Sequence, residues 1–434
     1  MNKKKSMYNS LHEDLELYFD RLWPICRSIT GKGYRDSLKI LKELIPLESI
    51  KFKSGDKVYD WVIPKEWNIN EAYFKDSMGK KYADFQSNNL HILNYSVPYK
   101  GKVSLNELKE HIHTIPELPN AIPYLTSYYD DRWGFCMSQN DFDNLKSSDY
   151  EVFIDANKSD GFLEIGECLL KGETDKEILF SSYLCHPSLA NNELSGPLVL
   201  SFLYRQIKKI KKRKYSYRFV ILPETIGSIA YLSKMGQHLK EKIVAGYQIT
   251  CVGDEGTLTY KSSRAKDTLS DRAAKCVLSK HEVKFKEFDP SVGSDERQYC
   301  SPGFDLPIGS LMRTMYTEYP EYHTSLDNKD LMNFKSMSEV ISIYLEIVNL
   351  IESNNTYLNL FPYGEPQLGR RGLFRTLGAQ RNRDEIEKAM WWALNYSDGN
   401  NDIIDISNLS LIQWQSVDEI CTKLLKNNIL KIKN

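Results

Sequence analysis

The sequence predicts an α/β protein: a core with a mostly parallel mixed sheet, an inserted β-rich domain and a C-terminal winged-helix-like domain. Between residues 150 and 355, short apolar runs typical of buried strands alternate with helical patterns. That order favours a largely parallel sheet. Ahead of that region, alternating apolar and polar runs separated by turn residues indicate shorter, half-exposed strands. The length of 434 residues agrees with two or three domains rather than one.

The first two elements are predicted to be helices. Apolar residues recur at helical spacing over residues 8–23 and 34–45, and a proline follows each segment. After residue 50 the pattern becomes one of alternating strands, and its clearest runs are residues 57–63 and 89–95. We therefore predict a β-rich domain inserted over residues 55–145.

The elements of the core alternate between strand and helix. In chain order they are strand 178–184, helix 197–208, strand 217–222, strand 244–252, strand 308–315 and helix 337–352. Parallel strands joined in this way bring their carboxyl ends to one edge of the sheet, which is where ligands bind in open α/β sheets. The core is predicted to comprise residues 1–54 and 146–358.

The last part of the chain has its own pattern. Residues 362–383 are interpreted as a linker, and the linker's basic residues are Arg370, Arg371, Arg375, Arg381 and Arg383. Helices are predicted over residues 384–397 and, with a break at 407–410, over residues 404–432. Three short helices and a final apolar run predict a winged-helix-like domain over residues 359–434.

Composition limits the classes of function. Lys and Arg total 57 against 58 Asp and Glu, so the whole chain has no field that would attract nucleic acid or an anionic membrane. No apolar run approaches the roughly 18 residues of a membrane span, and the basic N-terminus lacks the apolar stretch of a signal peptide. The eight cysteines form no C-x-x-C pair. We expect a cytoplasmic protein with reduced thiols and no membrane contact.

Short segments at the predicted strand ends carry side chains suited to catalysis. His186 is either a zinc ligand or a buried or capping histidine. Glu224 is either a general base or a carboxylate that complements a helix dipole. Asp327 either orients His323 or caps the helix beyond it. Asp295 lies in a polar segment that, taken alone, indicates a surface loop.

Because these segments end successive strands of one unit, we expect them to share a site. Their order resembles that of the zinc aminopeptidase superfamily, which includes aminopeptidase Y, bacterial secreted aminopeptidases and glutaminyl cyclases. His186 resembles that family's first zinc-binding histidine, and residues 191–196 resemble its metal-bridging N-D-x-x-S-G segment. Glu224 with Gly227 resembles its general-base E-E-x-G segment.

The resemblance extends to the final motif and to the domain order. Tyr322-His323 with Asp327 is similar to the family's Y-H-x-x-x-D segment. The match covers about residues 150–355 and the N-terminal helices, and it implies a zinc-exopeptidase-like α/β/α core. Residues 22–27 and 133–136 are similar to a subgroup of aminopeptidase-like proteins with an inserted β-domain and a C-terminal winged helix.

The chain departs from the family pattern at three metal-binding positions. Asn192 stands at the bridging carboxylate, and Thr225 stands at the acid after the general base. The family's D-M-x-G strand end corresponds to residues 250–253, and Asp254 is displaced by four residues. A two-metal centre needs several carboxylates to balance two dications. The residues present therefore favour a single zinc ion.

That zinc would be held by His186, His323 and one acid, since catalytic zinc commonly has three protein ligands and a water. The candidate acids are Asp254, Glu193 and Glu224, and Asn192 could contribute its amide oxygen. The predicted substrate contacts are Tyr322, Asp295 and Arg27.

The predicted function is zinc-dependent hydrolysis of a peptide or amide bond, with zinc-activated water and Glu224 as general base. The resemblance implies an aminopeptidase. A single-metal amidase acting on an acylated sugar or a modified peptide fits the same residues. The alternative is a catalytically degenerate scaffold that senses a ligand or binds nucleic acid or protein through residues 359–434. A homo-oligomer is compatible with both.

Overall fold

An eight-stranded mixed sheet forms the centre of the larger of two units. The computed structural model describes residues 2–373 and 385–433. The two units are Met1–Ser270 with Val283–Ser342, and Asp271–Glu282 with Ile343–Asn434. The predicted α/β class with a large mixed sheet is confirmed.

The helices and strands of the described residues are numbered in chain order. The helices are α1 (Asn2–Leu22), α2 (Lys32–Leu41), α3 (Leu105–Glu110), α4 (Gln139–Asp143), α5 (Ser195–Ile207), α6 (Ile226–Lys242), α7 (Leu269–Leu278), α8 (Glu296–Tyr299), α9 (Phe334–Ser353), α10 (Glu385–Tyr396), α11 (Ile403–Ser410) and α12 (Trp414–Lys426). The strands are β1 (Glu48–Lys53), β2 (Lys57–Val58), β3 (Trp61–Val62), β4 (Glu66–Lys75), β5 (Lys81–Tyr82), β6 (Tyr99–Ser104), β7 (Ile112–His113), β8 (Phe135–Cys136), β9 (Asp149–Ser159), β10 (Phe162–Leu170), β11 (Glu177–Tyr183), β12 (Ser216–Leu222), β13 (Ile243–Gln248), β14 (Leu258–Lys261), β15 (Val283–Lys286), β16 (Ile308–Met312), β17 (Thr356–Asn359), β18 (Asp398–Asp402) and β19 (Leu430–Ile432).

The large sheet has the strand order β1-β10-β12-β11-β13-β16-β14-β15. Its four central strands are parallel, whereas β10 and β14 run antiparallel to their central neighbours. Every residue of β11 and β12 is buried, as expected of parallel strands covered on both faces. Helices α5 and α6 follow these two strands. The segments that leave β11 and β12 therefore emerge at one edge of the sheet.

Strand register brings the two strongest sequence candidates close together. Tyr183 and Leu222, the last residues of β11 and β12, are paired across the sheet. The pairing continues one residue further, because the Leu184 N–H donates to the Leu222 carbonyl at 2.9 Å. His186 and Glu224 come just after these residues. Both side chains thus start from adjacent points at the carboxyl edge.

A second, antiparallel sheet of order β5-β4-β9-β6 forms much of the predicted insertion. Along most of β9, buried positions alternate with exposed or half-buried ones, the period of a strand with one face on a core. The predicted insertion ends at residue 145, yet β9 lies beyond that residue. It belongs to this sheet because it pairs with both β4 and β6.

Two strand predictions within the insertion are wrong in detail. Residues 89–95 contain the 3-10 turn Asn89–His91, because the Asn88 side chain accepts the Leu90 N–H and starts a turn. Residues 57–63 contain two strands of two residues each, β2 and β3, rather than one. The chain turns between them at Tyr59, whose φ is 56°.

The smaller unit combines helices α10 to α12 with a three-stranded sheet of order β18-β17-β19. The predicted boundary at residue 359 falls at the last residue of β17, whose pairing with β18 and β19 places it in this sheet. The predicted break at residues 407–410 is wrong, since α11 runs through Ser410. The helix ends at Ser410, and Leu411 after it adopts a left-handed conformation with φ 57°.

The basic linker is only partly described. Arg370 and Arg371 lie in the short turn Gly369–Arg371. The other predicted linker arginines, Arg375, Arg381 and Arg383, lie outside the described residues. Among the described residues, no helix is both long enough and apolar enough to cross a bilayer.

Candidate functional site

A cavity of about 470 Å³ opens at the carboxyl edge of the large sheet. Its floor is formed by segments that follow β11 and β12, together with the loop that carries His323. Its walls come largely from the inserted segment. The lining residues are Ile29, Trp61, Tyr124, Leu125, Thr126, Tyr128, Tyr129, Cys185, His186, Glu224, Thr225, Ile226 and His323. The cavity thus brings together the three residues His186, Glu224 and His323.

His186 is held by a buried carboxylate. Its Nδ1 lies 2.8 Å from Glu193 Oε2, and the side chain of Glu193 is fully buried. Burial acts to lower the pKa of His186, but the hydrogen bond and charge of Glu193 outweigh it and raise that pKa. The other ring nitrogen, Nε2, lies 3.6 Å from Glu224 Oε2.

Arg27 holds this pair from behind. Its Nε lies 3.3 Å from Glu193 Oε1 and 3.2 Å from the His186 carbonyl, and its Nη1 donates to the Leu22 carbonyl at 2.6 Å. The guanidinium is fully buried and does not line the cavity. Nε and Nη1 of Arg27 therefore bond within the protein, where they neutralise Glu193 and anchor the His186 backbone. A contact between Arg27 and substrate stays a prediction.

Glu224 is the acid that reaches the cavity. Ser294 Oγ donates to its Oε1 at 2.5 Å, and its backbone N–H donates to Cys185 Sγ at 3.3 Å. Burial raises the pKa of Glu224, while the charge of His186 and the Ser294 hydrogen bond oppose the shift. One oxygen is thus fixed by the protein, and the other faces His186.

The residue after Glu224 has a strained backbone. Thr225 has φ 62° and ψ −73°, an unusual conformation for a β-branched residue. Asp295 Oδ1 accepts the Thr225 N–H at 2.8 Å and the Ser228 hydroxyl at 2.7 Å. Asp295 is fully buried and lies outside the cavity lining. Asp295 therefore holds the Glu224 loop, and its predicted contact with substrate stays a prediction.

His323 lies beside His186, with ring centroids 5.1 Å apart. Its Nε2 is buried and has no hydrogen-bond partner among the described residues. Burial, with a smaller contribution from the charge of His186, lowers the pKa of His323 well below its usual value. Tyr322 stacks on the His323 ring at 4.0 Å, and the Tyr124 N–H donates to the His323 carbonyl at 2.8 Å. A neutral imidazole with an unused nitrogen is a ready metal ligand.

Asp327 adopts neither of its two predicted roles. Its carboxylate accepts the backbone N–H groups of Asn191 at 2.6 Å and Asn192 at 2.9 Å. The following turn is capped by Asn328 instead. Burial raises the pKa of Asp327 to about 6, against the lowering effect of these N–H groups. Asp327 therefore fixes the turn Ala190–Leu194, which carries Glu193.

Asn192 and Asp254 are engaged with other protein groups. The Asn192 amide oxygen accepts the Tyr183 hydroxyl, and Tyr322 also bonds to the Asn192 side chain. Asp254 accepts the Asn191 amide at 2.7 Å and the Thr314 hydroxyl at 3.0 Å. Asn192, Asp254 and Tyr322 do not line the cavity. Their predicted roles as metal ligands or substrate contacts therefore find no support in this geometry.

Possible metal-binding side chains lie at and behind the cavity floor. Cys185, His186 and Glu193 also form a close cluster, with ligand atoms within 4.8 Å of one another. In that cluster, however, Nδ1 of His186 and the Glu193 carboxylate are already hydrogen-bonded to each other, and Arg27 also bonds to Glu193. By contrast, Nε2 of His323 has no hydrogen-bond partner among the described residues, and Nε2 of His186 lies 3.6 Å from Glu224 Oε2. Glu224 is the single acid among the described lining residues, too few carboxylates for two dications.

Sequence reasoning missed the aromatic wall. Tyr124, Tyr128, Tyr129 and Trp61 come from the insertion and line the cavity. The richness in Tyr and the Tyr-containing run before residue 130 were visible in the sequence. Nothing in the sequence placed that run beside strand ends more than fifty residues away in the chain.

Comparisons with known proteins agree with this architecture. Residues 17–354 match a family model described as "Domain of unknown function (DUF4910)", and residues 355–432 match one described as "winged helix-turn-helix". A Clostridium acetobutylicum protein named "Putative polysaccharide biosynthesis protein with aminopeptidase-like domain" is 46% identical over 432 residues, covering 99% of both chains. A crystal structure of a "putative peptidase" from Clostridium acetobutylicum has 44% identity and a TM-score of 0.92, covering 100% of this chain and 99% of that chain.

More distant structures share the fold over most of the chain. BSAP, a zinc aminopeptidase from Bacillus subtilis, has 11% identity and a TM-score of 0.57, covering 79% of this chain and 94% of that chain. At that identity the likeness concerns the fold alone. The comparisons confirm the predicted fold, an aminopeptidase-like core with a C-terminal winged helix.

Proposed function

Because the chain belongs to the DUF4910 family, a domain of unknown function, and has an aminopeptidase-like fold, we propose that it hydrolyses an amide or peptide bond. The observation that carries the proposal is the 3.6 Å separation of His186 Nε2 and Glu224 Oε2 on a cavity floor. His323 lies beside them with an unused ring nitrogen.

Glu224 moves the proton in this reaction. The oxygen of water adds to the carbonyl carbon of the amide, and the C–N bond breaks to give a carboxylic acid and an amine. Glu224 Oε2 accepts a proton from the water and returns it to the leaving nitrogen. The raised pKa of Glu224, caused mainly by burial, suits a group that must both accept and donate. Ser294 keeps Oε1 fixed while this happens.

The two histidines are the proposed protein ligands of the zinc ion, one fewer than the three that catalytic zinc commonly has, because Glu224 is assigned as the base. Nε2 of His186 and Nε2 of His323 would hold one ion, which when bound polarises the carbonyl and lowers the pKa of water. Glu193 and Arg27 keep the His186 ring in the required orientation, as carboxylates behind metal-binding histidines commonly do. The fully buried ion pair of Arg27 and Glu193 keeps this part of the site rigid.

Glu224→Gln tests the assignment of the base. We expect kcat/KM for amide substrates to fall about 10²–10⁴-fold, the usual effect of removing a general base. Zinc content should stay the same, because a base is not required to hold the ion. The matched control is Glu117→Gln at an exposed glutamate, which should keep full activity. Activity that survives Glu224→Gln would refute the assignment, and loss of zinc would make Glu224 a ligand instead.

A binding module is the second candidate function. It is supported by the winged-helix unit and by Asn192, which occupies the position of a bridging carboxylate in the aminopeptidases that the chain resembles. In this case the cavity would hold a ligand without turnover, and the winged helix would contact nucleic acid or protein. Zinc binding without hydrolysis of any amide by the wild-type chain would favour this candidate.

A further inference from the structure

The cavity wall is apolar and aromatic above a polar floor. Trp61 and Tyr129 lie at its exposed part, with 39% and 54% of their surfaces accessible, and their rings are 5.8 Å apart. Deeper in, Tyr124 packs against both His186 and His323. Such walls bind flat or ring-shaped groups through their apolar faces. The hydroxyls of Tyr124 and Tyr128 bond to each other, and that of Tyr129 donates to the Val62 carbonyl.

The cavity offers little to a positive charge. Glu224 is the single acid among the described residues that line it. One of its oxygens accepts the Ser294 hydroxyl, and the other faces His186. A substrate ammonium that paired with Glu224 would occupy the oxygen proposed to take the proton from water. Apart from Glu224, an ammonium would meet ring faces among the described lining residues, and these are weaker partners for a charge than a carboxylate.

Neighbouring acids are closed off from the cavity. Glu193 is paired with Arg27 and His186, Asp295 holds the Thr225 N–H, and Asp327 accepts backbone N–H groups. Each of these three acids is buried, and none lines the cavity. Asp295 Oδ2 has no hydrogen-bond partner among the described residues, but it is buried away from the cavity, so none of these three acids reaches a free amino terminus of a bound substrate.

From this charge distribution we infer that the substrate is an N-acyl amine whose acyl group carries no ammonium, rather than an aminoacyl amide. The inference rests on the proposed amide hydrolysis and narrows its substrate class. Water and the N-acyl amine would give a carboxylic acid and the free amine. The ring-binding wall suits two sources of that amine, an amino sugar or an aromatic or amino-acid amine.

The test uses pairs of compounds that differ by one ammonium group. N-acetylglucosamine is compared with N-glycylglucosamine, and 4-nitroacetanilide is compared with glycine 4-nitroanilide. Saturation-transfer NMR on the full chain measures affinity whether or not turnover occurs, and the same spectra show released acid. We expect the acetyl compound to bind at least about tenfold more tightly than the glycyl compound, a ratio that one unmatched charge readily produces. The better-bound pair identifies the source of the amine.

A variant can reverse this preference. Leu125 lines the cavity and is 38% exposed, so Leu125→Asp should supply the missing counter-charge without disturbing the core. We expect the glycyl compound to gain about tenfold in affinity relative to the acetyl compound. The control is Leu125→Asn, whose side chain has the shape of aspartate but no charge. It should leave the wild-type preference unchanged.

The outcomes separate the inference from the proposed function. Equal or tighter binding of the glycyl compounds by wild type, or no binding of either pair, would overturn the substrate class. Preferential binding of the acetyl compounds without release of acid would support the ligand class and overturn the hydrolase. Preferential binding with release of acetate would support both.

Discussion

Glu193→Gln perturbs the group that orients His186. Glu193 Oε2 lies 2.8 Å from His186 Nδ1, and no part of the Glu193 side chain is exposed. The amide keeps the shape of the side chain but removes its charge. Removing a carboxylate behind a metal-binding histidine typically costs 10–100-fold in metal affinity. We therefore expect the zinc dissociation constant to rise about 10–100-fold, or ~1.4–2.7 kcal/mol.

The same change also affects stability, because Arg27 loses its charged partner. Arg27 is fully buried, and its Nη2 has no hydrogen-bond partner among the described residues. Breaking a buried ion pair by removing one member costs about 3–5 kcal/mol. The double variant Arg27→Met, Glu193→Gln removes both charges and should recover much of that loss. Its zinc affinity should stay low.

The assay is competition for zinc with a chromogenic chelator, measured on protein shown to be folded by circular dichroism. Urea unfolding of the same samples gives the stability change separately. Glu117→Gln, at an exposed position, serves as the control for removing a glutamate charge. A zinc affinity within about twofold of wild type in folded Glu193→Gln would refute the role given to Glu193.

Three further predictions follow from other contacts. Ser294→Ala removes the hydroxyl bonded to Glu224 Oε1, so in steady-state kinetics kcat should fall about tenfold while KM changes little. An unchanged kcat would contradict the role of Ser294 in positioning Glu224. Burial acts to raise the pKa of Glu177, but the hydrogen bonds and charge of Arg218 outweigh it and lower that pKa. The ion pair therefore contributes its full stability above the unfolded pKa of Glu177, near 4.3, and loses it as pH falls through the lower pKa of the folded state. We expect the urea midpoint of Glu177→Gln to fall less steeply than that of wild type as pH is lowered. An equally steep fall in both proteins would contradict this role of the pair. Residues 360–434 contain ten Lys and Arg against nine Asp and Glu, so gel shifts of the full chain should show no binding to random-sequence DNA at about 150 mM salt; a salt-resistant shift would instead support a nucleic-acid partner.

The fold was predictable where burial imposes a simple pattern. Strands β11 and β12 are buried at every position, so they appear in the sequence as continuous apolar runs followed by helices. The insertion was harder, because its longest strand β9 completes a sheet begun about eighty residues earlier in the chain. Asn89–His91 has the alternation of a strand, but the side chain of Asn88 makes it a turn.

The site was predictable where chemistry coincides with a strand end. His186 and Glu224 both follow buried strands, and this placement in the sequence indicates a shared site. The roles of Arg27 and Asp295 could not be foreseen. Arg27 meets Glu193 across 166 residues of sequence, and Asp295 holds a loop 70 residues away. A charged residue in the sequence does not show whether it will face substrate or support the backbone.

The central claim is that His186 and His323 hold one zinc ion on the floor of this cavity. The most direct measurement is the zinc content of the full chain, purified with zinc supplied, for wild type, His186→Ala, His323→Ala and the exposed control His281→Ala. We expect about one zinc per chain in wild type and in His281→Ala, and loss of zinc in the other two variants. Full zinc content in His186→Ala or His323→Ala, or two zinc ions per wild-type chain, would contradict the claim.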